Sequence, residues 1–199
     1  MDLELASIDK DVWREFEAAC EVRDHDLRYV SLATLSSDQV PVSRLLVLRG
    51  VNAQERQLIF HTDIKSDKWV ELSAHPKASI LGFSERAGEQ YRFNGRVELL
   101  APNSDINQTE WDNLSVWTKN TYCGGPPGEE THAPRSGENT KEAVPPTPEQ
   151  LVKGRARFGV ILFKADSLDW FQLKRSDNRR AIFSYADQSD VRSAKWINP

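Results

Sequence analysis

PVSRLLVLRGVNAQERQLIFHTDIKSDK, residues 41–68, decides how this chain is read. Arg44 opens an apolar run, Leu45 to Leu48, and Arg49 closes it. The polar residues 52–56 follow, and then a second apolar run that ends in His61-Thr62. Short apolar runs bounded by turn residues are strand signals. A link this short cannot hold a crossover, so 42–51 and 57–62 are predicted to be antiparallel neighbours. A short loop then delivers Ser66 and Lys68 to a helix, capped by Ser66, that runs to about Ala74 and stops at His75-Pro76. Two strand ends and a helix start are thus expected to gather Arg44, Thr62, Ser66 and Lys68 around one anion. Hydroxyls, an ammonium, free N–H groups at a helix start and a planar guanidinium fork all suit a phosphate.

Working outward, Val12, Phe16, Ala19 and Cys20 share helical spacing and predict an amphipathic helix over 12–21, with Cys20 a small core residue. Residues 29–34 and 78–83 read as strands. Residues 90–100 read as a longer one, with Tyr91, Phe93, Gly95, Val97 and Leu99 on one face. Ile106, Glu110, Leu114 and Trp117 predict a helix over 103–119. Residues 124–150, with Gly-Gly-Pro-Pro-Gly and several further prolines, carry no period and read as a long surface loop. Strands are predicted at 158–164, 167–173 and 179–185, with Trp196-Ile197 pairing at an edge. Seven or eight strands on short links with three helices make a mainly β, antiparallel barrel in a single domain over 1–199.

Composition narrows the function classes. Thirty acidic against 26 basic side chains give a net charge of −4, without the basic footprint of a nucleic-acid binder. Two isolated cysteines, Cys20 and Cys123, make no disulfide framework. The acidic opening MDLELASIDK lacks the apolar core of a signal peptide, and no apolar run approaches the roughly 20 residues a membrane span requires. The expectation is a cytoplasmic protein. His25, His61, His75 and His132 show no metal-ligand spacing.

SRLLVLR, LIFHT, KSDKWVELSAHPKASILGF and EQYRFNGRVELL, then LDWFQLKRSDNRRAIFSY and a closing WINP, follow the order of a known pattern. The chain resembles the pyridoxamine 5′-phosphate oxidase family over about 12–119 and 158–199. The resemblance implies a split β-barrel of the FMN-binding type with peripheral helices, working as a homodimer with FMN at the subunit interface. It implies Arg44, Ser66 and Lys68 as phosphate contacts, and Leu45, Leu46 and Val47 as the strand whose backbone meets the ring system. His61 and Thr62 stand where the family has Tyr-Thr. Gln90, Trp170 and Arg180 stand where residues of the second subunit reach the flavin. Without the resemblance, Trp170 reads equally as a core aromatic and Gln90 as a solvent-facing strand residue.

The chain also departs from the family. Asp67 replaces the middle Arg of Ser-Arg-Lys, which brings a negative charge near the expected phosphate. Ser176 and Asn178 stand where the oxidases hold their substrate with Arg-x-His, and Trp111 and Ser115 stand for a Tyr and an Arg. Arg49 remains as a phosphate-contacting cation, with Asn178 the other candidate substrate contact. The resemblance therefore implies an FMN oxidoreductase in which the flavin exchanges a hydride with a small substrate other than pyridoxamine phosphate. Two alternatives stay open. One is a pyridoxamine 5′-phosphate oxidase with a rebuilt pocket, using Lys174 or Arg175. The other is a flavin-carrying or other ligand-binding protein without turnover.

Overall fold

The first helix, α1 (Leu3–Glu21), starts nine residues before the predicted 12–21. Asp2 caps it by accepting from the Glu4 N–H, and Leu5, Asp9, Val12, Trp13, Phe16 and Ala19 form its buried stripe. The early half was missed because Asp9 is a buried carboxylate among apolar residues. Its oxygens accept from the Tyr185 hydroxyl at 2.7 Å and pair with Arg56 at 2.8 Å. The Trp13 indole donates to the same hydroxyl at 3.1 Å. Satisfied in this way, a polar residue can occupy a core position. The computed structural model describes residues 2–130, 145–186 and 191–199.

Eight strands follow: β1 (Tyr29–Leu35), β2 (Pro41–Asn52), β3 (Gln57–Asp63), β4 (Lys77–Ser84), β5 (Glu89–Leu100), β6 (Phe158–Gln172), β7 (Arg179–Tyr185) and β8 (Val191–Ile197). They form one sheet in the order β3-β2-β1-β4-β5-β6-β7-β8. A β3–β6 pairing closes the first six strands into an antiparallel barrel, the split β-barrel expected. The predicted β2–β3 hairpin is present, with a register shift between Leu48 and Gly50. The burial alternation in β5 holds through Val97 and then slips, so that Leu100 is buried rather than Leu99.

Three predictions are corrected. The strands expected at 158–164 and 167–173 are one strand, β6, because Ala165-Asp166 does not interrupt pairing. Ala165 N–H bonds to the Arg56 carbonyl at 2.9 Å, and Asp166 accepts from Arg96 at 3.1 Å. The helix expected over 103–119 is two, α3 (Asp105–Asp112) and α4 (Val116–Asn120), each capped by its own serine, Ser104 and Ser115. Their buried face is also not the predicted one, since Ile106 and Trp117 are exposed while Asn107 and Trp111 are buried. The loop expected over 124–150 ends earlier, because α5 (Pro148–Arg155) begins with a capping box between Thr147 and Gln150. Residues 131–144 of that loop lie outside the described residues. A helix over Asp67–Ala74, α2, completes the set.

The chain divides into two compact units. One comprises residues 1–60, 71–98 and 161–199; the other comprises 61–70 and 99–160. In the first unit, Trp13 lies 5.3 Å from Phe93 between ring centroids, and Phe16 packs edge-on against Tyr91 and Phe93. Gly95 of β5 lies against β6. A β-carbon there would collide with the Lys164 carbonyl and lie 2.8 Å from the Phe163 ring. Backbone cannot step aside as a side chain can, so Gly95→Ala is expected to cost about 3 kcal/mol, the upper end for overpacking. A loss under 0.5 kcal/mol by urea unfolding would show that β5 and β6 separate freely.

Candidate flavin site

In the second unit, β3 ends on His61, Thr62 and Asp63, and the chain turns into α2. Thr62, Asp63 and Ser66 are buried. The Thr62 and Ser66 hydroxyls lie 3.1 Å apart, and Lys68 Nζ donates to Thr62 Oγ1 at 3.3 Å. The structure therefore brings Thr62, Ser66 and Lys68 together. Ser66 immediately precedes α2, but its hydroxyl donates back to the Asp63 carbonyl at 2.6 Å. Asp67 is the first helical residue and is exposed. A carboxylate there complements the positive end of the helix dipole.

Thr62, Asp63 and Lys68 line a cavity of about 490 Å³ together with His61, Tyr122, Pro126, Pro127, Glu129 and Arg157. Arg157 was missed, since no motif marks a lone Arg before a strand. Its guanidinium bonds the Asp63 carboxylate and the carbonyls of Gly124 and Gly125, which holds the Gly-Gly-Pro-Pro segment in place. His61 Nε2 lies 2.8 Å from Glu110, and its ring meets Phe158 edge-on at 5.0 Å. Trp111 and Tyr122 pack on the same Phe158. His61 Nδ1 and Arg157 Nε are buried without a hydrogen-bond partner. A buried unpaired polar atom costs about 1–3 kcal/mol. This donor set fits a phosphate-bearing cofactor.

In the first unit, Arg44 donates to the Thr34 hydroxyl and, at 2.7 Å, to the Glu71 carboxylate. Leu46 is buried and Leu45 exposed, as strand alternation requires, and Val47 is half-buried. Arg49 stands at the β2 register shift. Gln90 is half-buried opposite Phe83. Trp170 is buried, and its indole N–H donates to Glu89 at 3.0 Å. Glu89 also accepts from Tyr91 at 2.7 Å and Gln172 at 2.8 Å. Arg180 grips Asp169 with two bonds, at 2.9 and 2.8 Å, and Arg92 binds the same carboxylate.

The Arg180 hydrogen bond, against burial, holds the Asp169 carboxyl below its ordinary value. Its stabilising contribution is therefore present above about pH 4, the ordinary range, and is lost as pH falls through the depressed folded value. Asp169→Asn should lower the melting temperature at pH 7, with the gap to wild type closing as pH falls below 4. A gap independent of pH would rule out the charge pairing as its source.

The divergent positions carry structural roles. Asn178 accepts from the Lys174 N–H at 2.8 Å, closing the β6–β7 turn. Ser115 caps α4, and Trp111 belongs to the aromatic cluster.

Residues 10–101 match the family model for the pyridoxamine 5′-phosphate oxidase, FMN-binding domain. Pyridoxine/pyridoxamine 5′-phosphate oxidase 2 of Arabidopsis thaliana is 29% identical to this chain over 164 residues, 78% of each protein. The pyridoxine/pyridoxamine 5′-phosphate oxidase of Paraburkholderia phytofirmans is 32% identical over 126 residues, 59% of this chain and 58% of that one. Among solved structures, an oxidase-related FMN-binding protein of Nostoc punctiforme PCC 73102 aligns with a TM-score of 0.75 at 23% identity, covering 96% of this chain and 97% of that one. PhzG of Burkholderia lata 383, solved with tetrahydrophenazine-1-carboxylic acid, aligns with a TM-score of 0.69 at 18% identity over 98% and 92% of the two chains. At these identities the two structures show a shared fold. Among the described residues, no helix of this chain is long and apolar enough to cross a membrane.

Proposed function

We infer that the chain is an FMN-dependent oxidoreductase acting on a small molecule, as a cytoplasmic homodimer. The observation that carries this reading is the Thr62–Ser66–Lys68 cluster, with Thr62 and Lys68 on the wall of a cavity. Lys68, Thr62 and Ser66 would hold the phosphate, with Arg44 as its further cation, and Leu45, Leu46 and Val47 would face the ring system. When bound, FMN supplies two-electron redox chemistry. Residues of the chain bind it, orient it and shield it from water.

An exposed apolar sheet face supports the homodimer. Leu45, Tyr29, Leu81 and Phe83 are 69%, 57%, 41% and 50% exposed. The register sets Leu45 across from Ser31, and Ser31 across from Leu81, so these side chains share one face of β2-β1-β4. Gln90 and Arg92 continue that face on β5, opposite Phe83 and Leu81. Apolar residues spread over adjacent strands mark a surface that gains from being covered. In that dimer, Gln90, Trp170 and Arg180 would serve the flavin of the other subunit.

The substrate is read as lacking a phosphate. Asn178 is engaged in a turn, and Ser176 has replaced a cation. The names of the curated relatives favour a second reading, pyridoxine/pyridoxamine 5′-phosphate oxidation, with Arg49 and Lys174 or Arg175 as substrate cations. The visible absorption spectrum with and without added FMN is the first test. A shifted flavin band and altered ring fluorescence support the reading, and their absence with FMN in excess overturns it. Turnover of pyridoxamine phosphate would select the second reading. Flavin binding without reoxidation of the reduced form by any substrate would leave a flavin carrier.

A further inference from the structure

Within the second unit, one wall of the cavity is a strap, residues 121–129, which contributes Tyr122, Gly125, Pro126, Pro127 and Glu129. It lies beyond residues 10–101, the part of the chain that the family model matches. Two anchors fix it. Tyr122 packs edge-on against Phe158 at 5.1 Å. The Arg157 guanidinium takes the next residues, donating from Nη1 to the Gly124 carbonyl and from Nη2 to the Gly125 carbonyl at 2.7 Å. Nη2 also donates to the Asp63 carboxylate. The Arg157 carbonyl accepts from the Ile64 N–H at 2.9 Å, so backbone and side chain are both pinned to the end of β3.

Asp63 stands at the joint. Its Oδ1 accepts from the Lys65 N–H at 2.8 Å, its carbonyl from the Ser66 hydroxyl at 2.6 Å, and its Oδ2 from Arg157. The turn that carries Ser66 and Lys68 is thus tied to the strap through one buried residue. A planar guanidinium fork can hold a carboxylate and two carbonyls in a fixed arrangement, which the point charge of a lysine cannot reproduce. We propose that Arg157 is the positioning residue of this cavity: through Asp63 it locks the strap to the Thr62–Ser66–Lys68 turn, and the lock retains bound FMN. This deepens the flavin reading and rests on it. A ligand behind such a wall leaves only when the wall gives way, so the lock acts on release more than on capture. Arg157 does this while its terminal nitrogens stay on protein acceptors.

The rival role is a direct one, in which Arg157 is a cation on the cavity wall that binds the phosphate itself. Asp63→Asn separates the two. It keeps an oxygen for the Lys65 N–H and removes the charge that holds Arg157. A direct role predicts tighter FMN binding, because Arg157 is released from its counter-charge; the lock predicts faster release. Displacement of FMN from the full chain is timed by stopped-flow fluorescence for wild type, Asp63→Asn, Arg157→Lys and Arg157→Met, with circular dichroism confirming each fold. Loss of one charge-assisted hydrogen bond is worth a factor of about ten. FMN should leave Asp63→Asn and Arg157→Met about tenfold faster than wild type, on the same grounds. Arg157→Lys, which keeps the charge but not the fork, should fall between. A glutamyl endopeptidase reads the strap itself, at Glu129 and Glu130, both exposed. With FMN saturating, cleavage there, located by mass spectrometry, should slow in wild type and not in Arg157→Met.

Tighter FMN binding in Asp63→Asn would overturn the proposal and make Arg157 a phosphate ligand. Wild-type release rates in all three variants would overturn it as well. Cleavage in Arg157→Met that rises equally at every glutamate would show a general loss of stability in place of a lock. A wild-type chain that binds no FMN fails before any variant is compared. That result removes the flavin reading itself, and the proposal with it.

Discussion

Arg44→Ala and Lys68→Ala should each weaken FMN binding by about 10–100-fold. A charge-assisted hydrogen bond contributes about 1.5–3 kcal/mol, and each 1.4 kcal/mol is a factor of ten in affinity. Lys68 Nζ sits 3.3 Å from Thr62 Oγ1 on the cavity wall, so its ammonium is already drawn toward the hydroxyl cluster before any ligand arrives. Lys68→Ala removes that charge and leaves the Thr62–Ser66 contact in place. Arg44→Ala does more, because it also leaves the largely buried Glu71 carboxylate without its cation. The Arg44 loss should therefore be accompanied by a lower melting temperature. Asp67→Arg is the counter-test. Asp67 is exposed, so the reversal of charge should leave FMN affinity intact or raise it. Unchanged affinity in both alanine variants would sink the phosphate assignment.

The largest effect on stability is expected at Arg56. Its guanidinium pairs with Asp9 at 2.8 Å and lies over the rings of Trp13, at 5.4 Å, and Tyr185, at 5.0 Å. Asp9 is 4% exposed. Arg56→Met keeps most of the stem and removes the charge, leaving a buried carboxylate with neutral donors only. Breaking a buried pair in this way costs about 3–5 kcal/mol at pH 7, or roughly 10 °C in melting temperature for a chain of this size. Burial already pushes the Asp9 carboxyl above its ordinary value, against the Tyr185 hydrogen bond and the Arg56 charge. Removing Arg56 raises it further. A raised folded value means a contribution that is complete below the ordinary value and lost as pH rises through the folded one. The gap between variant and wild type should therefore narrow as pH falls from 7 toward 4, while Asp9 takes up a proton. Asp9→Asn added to Arg56→Met should restore part of the loss at pH 7. A loss under 1 kcal/mol at pH 7, or one that does not change with pH, would show that water reaches Asp9 in the variant.

The strands were legible because one alternating face is enough to mark a strand. β7 has the predicted bounds, and β2 and β3 each differ from theirs by at most one residue at an end. Legibility failed where a polar residue is buried by satisfaction. Asn107 has no exposed surface because its amide donates to the carbonyls of Leu100, at 2.7 Å, and Phe158, at 3.0 Å, while its oxygen accepts from Arg155 at 2.6 Å. An apolar count places such a residue outside the helix face and selects Ile106 in its place. The start of α5 was written in Thr-Pro-Glu-Gln, a capping box with Pro at the first turn, but its glycine- and proline-rich surroundings hid it.

The candidate site divides in the same way. Thr62, Ser66 and Lys68 lie within seven residues, so their grouping follows from local chain geometry. Arg157 is 94 residues from Asp63, and Glu71 is 27 from Arg44. Neither pairing leaves a trace in local spacing. The exposed and buried residues of β2 were legible as alternation, but alternation does not say which residues a second molecule covers.

The closed barrel leaves β8 as the open edge of the sheet among the described residues. That edge carries Arg192, Ser193 and Lys195, all exposed. Charged side chains along an unpaired edge discourage another strand from adding to it. β7, one strand inward, reads Ala181, Ile182, Phe183 and presents no such charges along its centre. The last strand thus works as a guard against fibre-like growth. A chain cut before Val191 would offer β7 to its neighbours in solution, and its failure would be aggregation rather than loss of cofactor.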